Sequence, residues 1–254
     1  MLTKARSLFS SRIGSQIFVL ALLMGAWELT GRTVQSPLLP PLTAILKAWY
    51  DLLFAQAFQR DLGISLTTMA TGFSLALCSG LSLGIIMARY PAVERLLDPY
   101  VNALMSSPIT ALVPIIMLIF GSQFTARVVI VFLFSFFPIC INTLTGVKNA
   151  DRALVEMVRS FGARDRQITI IVALPGALPL ILQGVRLSIA RAVGGVLIAE
   201  LMMALSGLGY QLSTYGAAFL TNYVYAIVGT ITFIAWLLSE LVRLLEKRLA
   251  YWNA

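Results

Sequence analysis

Histidine is absent from this chain of 254 residues, which removes the commonest general base and the most frequent metal ligand. Charge is scarce as well. Only 12% of the residues are Asp, Glu, Lys or Arg, about half of the ~25% usual in soluble domains. The eleven carboxylates are scattered, with no pair at catalytic spacing, so a membrane enzyme would lack converging acids, bases or metal ligands. Only two cysteines occur, Cys78 and Cys140, both in apolar runs. They are expected as buried small hydrophobes, with neither metal-site spacing nor a disulfide framework. No G-x-x-x-x-G-K-[ST] motif is present, so the chain cannot bind ATP through a P-loop. Internal repeats and mid-membrane coupling acids, the usual marks of a self-sufficient secondary carrier, are not evident either.

What the chain does have is apolar length. Hydrophobic residues make up 59% and mean hydropathy is +0.87, which places it among polytopic membrane proteins. A span needs ~20 mostly apolar residues. Six segments qualify: Ile13–Leu29, Ile64–Met87, Leu104–Phe120, Val128–Leu144, Leu178–Met202 and Tyr223–Leu245. The first is expected to be a retained span, because no small-residue cleavage site follows Trp27 and Glu28. Pro108 and Pro114 interrupt the third, leaving a continuous, broken or re-entrant helix open there. Between the first two spans, Pro37, Pro40 and Pro41 break the chain. Ile45, Leu46, Trp49, Leu52 and Leu53 then recur at helical spacing, the pattern of an interfacial helix. One more short span is the alternative, with Lys47 and Asp51 against it. The glycine- and serine-rich stretch Leu205–Tyr215 reads as a loop on the same outer side.

The net charge of +8 follows topology rather than nucleic acid. Lys4, Arg6 and Arg12 precede the first span, and Arg89 and Arg95 follow the second. Lys148, Arg152, Arg159, Arg164 and Arg166 follow the fourth, and Arg243, Lys247 and Arg248 follow the sixth. The other side holds Arg32, Lys47, Arg60 and Arg127. Thirteen against four puts both termini and the segment after Asp151 in the cytoplasm by the positive-inside rule.

That segment, Asp151 to Pro175, is the most charged stretch between two spans. Asp151 is a good N-cap. Leu154, Val155, Val158 and Phe161 fall on one helical face, with Arg152, Glu156 and Arg159 elsewhere around it. Gly162 suits a left-handed helix stop. Arg164, Asp165, Arg166 and Gln167 restart a second helix closed by Pro175, which with Pro179 leads into the fifth span. Such a helix can dock into a groove on a soluble partner, or its apolar face can lie on the membrane surface.

Glu156-Met157-Val158-(x)3-Gly162-(x)9-Val172-Ala173-Leu174-Pro175 resembles the EAA loop of ABC importer permeases, E-A-A-(x)3-G-(x)9-I-x-L-P. The spacing matches throughout. Met157 and Val158 stand for the alanines and Val172 for the isoleucine. SPLLPPLTAIL around Pro40, LLDPYVNALMSSPITALVPIIMLIFG from Leu96, FFPICINTLTGVKNAD from Phe136 and GVRLSIARAVGGVLIAELM from Gly184 are similar to the permease branch for taurine, alkanesulfonates, nitrate and the pyrimidine precursor of thiamine. The resemblance implies an all-α polytopic protein of the bacterial cytoplasmic membrane, with one transmembrane permease domain over 1–254. About six transmembrane helices, an outer interfacial helix and a cytoplasmic coupling helix within 151–175 are expected. It implies a second permease copy, two cytosolic P-loop ATPase subunits that carry the ATP and Mg, and an extracytoplasmic binding protein. This chain would hold no cofactor. Glu156, Arg159, Gly162, Ala163, Leu174 and Pro175 are the expected coupling residues, and the substrate class is a small anion such as a sulfonate, taurine or nitrate.

Polar residues inside the spans are the candidates for a translocation pathway: Asn142, Gln183, Arg186, Arg191 and Glu200. A charge at bilayer depth costs roughly 2.5–3.5 kcal/mol on insertion scales, so each faces protein or water. The two arginines are five residues apart, about 140° around a helix, and do not share a face. One of them could meet an anionic substrate. The alternative is structural: a pair with a carboxylate such as Glu28 or Glu240, or snorkelling of Arg186 to the interface. Asn142, Gln183 and Ser135 offer neutral hydrogen bonds to a solute or between helices, and Gly80-x-x-x-Gly84 and Gly194-Gly195 permit close helix approach.

Overall fold

The computed structural model describes residues 2–34, 36–121, 124–203 and 205–249, with side chains described between 14 and 248. The basic side chains Lys4, Arg6 and Arg12 lie outside the described residues. All regular structure described is helical. In chain order the helices are α1 (Leu2–Val34), α2 (Leu42–Phe54), α3 (Gln56–Arg89), α4 (Pro91–Ser106), α5 (Ile109–Phe120) and α6 (Phe124–Lys148). They continue with α7 (Arg152–Ser160), α8 (Asp165–Ile168), α9 (Leu174–Met203), α10 (Leu208–Ala217) and α11 (Thr221–Leu249).

Five helical stretches are long and apolar enough to cross a bilayer: Gly14–Val34, Gln56–Arg89, Phe124–Lys148, Asp165–Met203 and Thr221–Arg248. The α4–α5 pair passes the same test together but bends by 99°. The cause is Pro108: a residue before proline is pushed out of the α region, and Ser107 sits at ψ 143°. Pro114 stays inside α5 without breaking it, and Gly121, at φ +70°, ends that helix.

The chain forms two compact units, Met1–Gln59 with Leu212–Thr230 and Arg60–Gln211 with Ile231–Ala254. In the first, α1 grips the start of α2. Trp27 Nε1 donates to the Pro40 carbonyl at 3.1 Å. Pro41, at the N-cap of α2, supplies no side-chain acceptor. The Glu28 carboxylate replaces one, accepting the Thr43 N–H at 3.0 Å and the Thr43 hydroxyl at 2.8 Å. At 13 residues, α2 is about 20 Å long, too short to cross ~30 Å of hydrocarbon. It buries Ala48 and Leu52, and Trp49 Nε1 donates to Thr230 Oγ1 at 2.9 Å.

The second unit is built on α6 and α9. Where lipid replaces water, helices associate through small residues that bring backbones close. A Cβ added to Gly80 would lie 3.0 Å from Ile139, and one on Gly84 would lie 2.7 Å from the Cys140 carbonyl and Thr143. The Gly80–Gly84 pair therefore packs α3 against α6 inside one chain. Gly184 fits against Asn142 and Gly195 against Phe134 in the same way, seating α9 on α6. Of the two cysteines only Cys140 is buried; Cys78 is exposed on α3, because its position faces away from the glycine seam. Lys148 Nζ pairs with Glu94 at 2.6 Å, tying the end of α6 to α4.

Two local expectations are corrected. The second helix of the Asp151 segment does not close at Pro175. It continues as a π-helical turn, Thr169–Ala173, straight into α9. Pro175 has no N–H to donate, and the turn's wider pattern, with the Leu174 N–H on the Thr169 carbonyl, carries the helix through. The stretch expected as a loop contains α10, whose start is held by side chains distant in sequence.

Candidate functional site

The Asp151 segment is capped at both ends of α7. Asp151 Oδ1 accepts the Ala153 N–H at 2.8 Å, as an N-cap should. At the other end Gly162 has φ +83°. Its N–H bonds the Arg159 carbonyl at 2.9 Å, while the Ala163 N–H bonds the Val158 carbonyl at 3.3 Å. These are the two bonds of a Schellman stop, which needs a left-handed residue at the glycine position. The Arg164 N–H then bonds Gln167 Oε1 at 2.8 Å to start α8, and Arg159 reaches across to Asp165 at 3.3 Å.

The apolar residues of α7 divide into two sets. Val155 and Val158 are half-buried against the body of the unit, whereas Leu154 and Met157 are exposed and Phe161 is 83% exposed. An open cleft of about 650 Å³ lies on one side of α7, bordered by Arg89, Lys148, Arg152, Glu156 and Arg159. A second, of about 510 Å³, runs beside Leu154, Met157 and Val158 to Ile171 and Pro175. Of the six expected coupling residues, Glu156, Arg159, Gly162 and Pro175 are exposed, and Ala163 and Leu174 are half-buried. Leu174 packs with Val147, Ala173, Ala177 and Ile181, fastening the segment to α6 and α9.

The intramembrane polar residues do not converge. Gln183 and Arg186 lie three residues apart on the exposed stripe of α9, with Leu187 and Ala190. Arg191 is half-buried and makes no ion pair among the described residues. Glu28 pairs with Arg32 at 2.6 Å. Glu240 pairs with Arg243 and also feels the charges of Lys247 and Arg186. Asn142 Nδ2 donates to the Pro138 carbonyl at 2.8 Å where Gly184 abuts it, and Ser188 Oγ donates to the Ser135 carbonyl at 2.7 Å. Glu200 is 0% exposed and hydrogen-bonded to Ser65 and Gly209. No cluster of three or more metal-ligating side chains occurs among the described residues.

The described chain is thus helical in all its regular structure, with several helices long and apolar enough to cross a membrane and the exposed helix α7 between two of them, the build of a polytopic membrane protein. Residues 80–251 match the family of binding-protein-dependent transport system inner membrane components, and the chain belongs to that family. It is 32% identical over 252 residues to the taurine transport system permease protein TauC of Escherichia coli (strain K12), covering 96% of this chain and 91% of that one. It is 33% identical over 235 residues to the putative aliphatic sulfonates transport permease protein SsuC of Bacillus subtilis (strain 168), covering 92% and 85%. Its fold is similar to a solved amino acid ABC transporter chain, with TM-score 0.64 and 18% identity over 76% of this chain and 94% of that one. The chain is thus an ABC importer permease subunit, a multi-pass protein of the inner membrane.

Proposed function

We propose that two copies of this chain form the pathway of an ATP-driven importer, with cytosolic ATPase subunits docked on α7 and a binding protein delivering substrate from outside. The observation that carries this reading is α7 itself. It holds Leu154, Met157 and Phe161 out from the body, and it joins through Gly162 to an unbroken helix from Asp165 to Met203. Three large apolar side chains on a short rigid helix suit a groove on a partner. Closure of the ATPases on their ATP and Mg would move α7, and the attached helix would carry that displacement into the membrane. Glu156 and Arg159 supply polar contacts at that surface.

The rest of the reading rests on charge. The excess of Lys and Arg around α7 and at both chain ends supports a cytoplasmic side for those parts. Gln183 and Arg186 on an exposed stripe, and Arg191 without an ion pair among the described residues, are poorly suited to lipid. They fit an aqueous passage between two copies, where guanidinium groups favour an anion. The relatives named for taurine and sulfonates agree with a small sulfonate as cargo, taurine foremost.

Labelled taurine uptake in the native host tests this. Deletion of the chain or depletion of ATP is expected to abolish uptake, and Arg191→Gln to lower the rate or alter the preference for taurine over nitrate. Uptake that persists without ATP would turn the reading into a carrier or channel, and an unchanged Arg191→Gln variant would remove that arginine from the pathway.

A further inference from the structure

At the Met203 end of α9, opposite α7, the second unit holds a cluster of buried polar groups that the transport reading does not use. Both oxygens of Glu200 lie 2.8 Å from Ser65 Oγ, which donates to the carboxylate. One of them also accepts the Gly209 N–H at 3.0 Å. Ser65 Oγ in turn accepts the Leu208 N–H at 2.9 Å. Asp61 takes the Gly207 N–H at 3.1 Å and the Gln211 side-chain N–H at 2.6 Å. From α6, Arg127 Nη1 donates to Ser206 Oγ at 3.0 Å.

Three consecutive backbone N–H groups, those of Gly207, Leu208 and Gly209, therefore end on Asp61, Ser65 and Glu200. They open α10, where N–H groups have no helical acceptor and negative charge is favoured. Space is matched as closely as charge. Gly207 has φ +98°, and a Cβ there would collide with the Glu200 carboxyl group. A Cβ on Gly209 would lie 2.7 Å from Glu200 Cβ. A turn that needed only a cap could carry a local Ser or Asp. This one is held instead from α3, α6 and α9 at once, at the cost of burying two carboxylates.

We propose that Asp61, Ser65 and Glu200 are positioning residues for transport: a clasp that locks the Ser206–Gln211 turn to α3, α6 and α9, so that docking of the binding protein outside reaches α7. The inference rests on the coupled-importer reading. The link is the helix Asp165–Met203, 39 residues and about 58 Å from end to end. Loosening the clasp leaves α7 and the ATPases untouched but lets the outer turn move without α9.

The test uses the full chain reconstituted with its ATPase and binding protein, with taurine as the probe. ATP hydrolysis is measured without and with the taurine-loaded binding protein. Ser65→Ala and Asp61→Ala are expected to keep basal hydrolysis. Their stimulated-to-basal ratio falls at least about fivefold, the lower end of usual coupling strengths. Asp61→Asn is expected to rescue. Its amide oxygen still accepts from Gly207, and Gln211, whose Oε1 has no partner among the described residues, can turn that oxygen toward the new amide. A purely structural role would lower yield, basal and stimulated hydrolysis together and leave the ratio intact. Wild-type stimulation with an unchanged ratio in both alanine variants overturns the clasp. Absence of an ATPase from the wild-type complex overturns the importer reading itself.

Discussion

Gly162→Val is expected to abolish ATP-driven uptake while the chain accumulates in the membrane at its normal level. Gly162 holds φ +83°, and an added Cβ would meet nothing within 4 Å, so the substitution acts through the backbone alone. A left-handed conformation costs an ordinary L-residue roughly 1–2 kcal/mol, and a β-branched one is a genuine outlier there. The local escape is to give up the two Schellman bonds, which frees α7 to swing relative to α8. The spans lose little packing, because α7 buries no residue fully and rests on the body through Val155 and Val158. Uptake measured beside membrane abundance separates the two effects. Gly162→Ala is expected to fall between wild type and valine. Normal uptake by the valine variant at normal abundance would show that the orientation of α7 is immaterial.

Glu200→Ala is expected to destabilise the fold itself. The substitution strands the buried Ser65 O–H donor, whose oxygen still accepts from Leu208, and the Gly209 N–H, each worth about 1–3 kcal/mol when left without a partner. The expected loss is about 2–6 kcal/mol for the two together. Glu200→Gln keeps an acceptor oxygen and loses less. Thermal unfolding of the detergent-solubilised chain reads this directly, and an alanine variant as stable as wild type would mean that water reaches the site.

The sequence revealed those parts of the molecule whose physics is local. The spans follow from runs of apolar residues, the α4–α5 bend from Pro108, and the α7 stop from Gly162 with Asp151 in front. The helix and turn of the Asp151 segment were legible because the cap, apolar face and glycine lie within a dozen residues. The parts it concealed depend on distant partners. Leu205–Tyr215 reads as a loop because glycine and serine dominate it, while the groups that make α10 possible, Asp61 and Ser65, stand over a hundred residues earlier. Glu200 reads as a charge in a span. The chain shows nothing locally of the three N–H groups waiting in the next turn. Two glycines in Gly207-Leu208-Gly209, seven residues after an intramembrane carboxylate, were the available signal. Pro175 reads as a helix stop because the π-helical turn that relieves it has no composition of its own. Val155 and Val158 share the apolar pattern of Leu154 and Phe161, and only the position of α7 against the body separates them.

If α7 couples this chain to ATPases, purification from the native host brings them with it. A tagged copy is extracted gently and its companions are counted. A P-loop ATPase is expected at about one per permease, as in two-copy assemblies of closed symmetry. It is lost when Glu156 and Gly162 are both replaced, although the chain itself is recovered in full. A clean wild-type preparation without any ATPase would rule out that coupling and leave α7 as an element of the membrane surface.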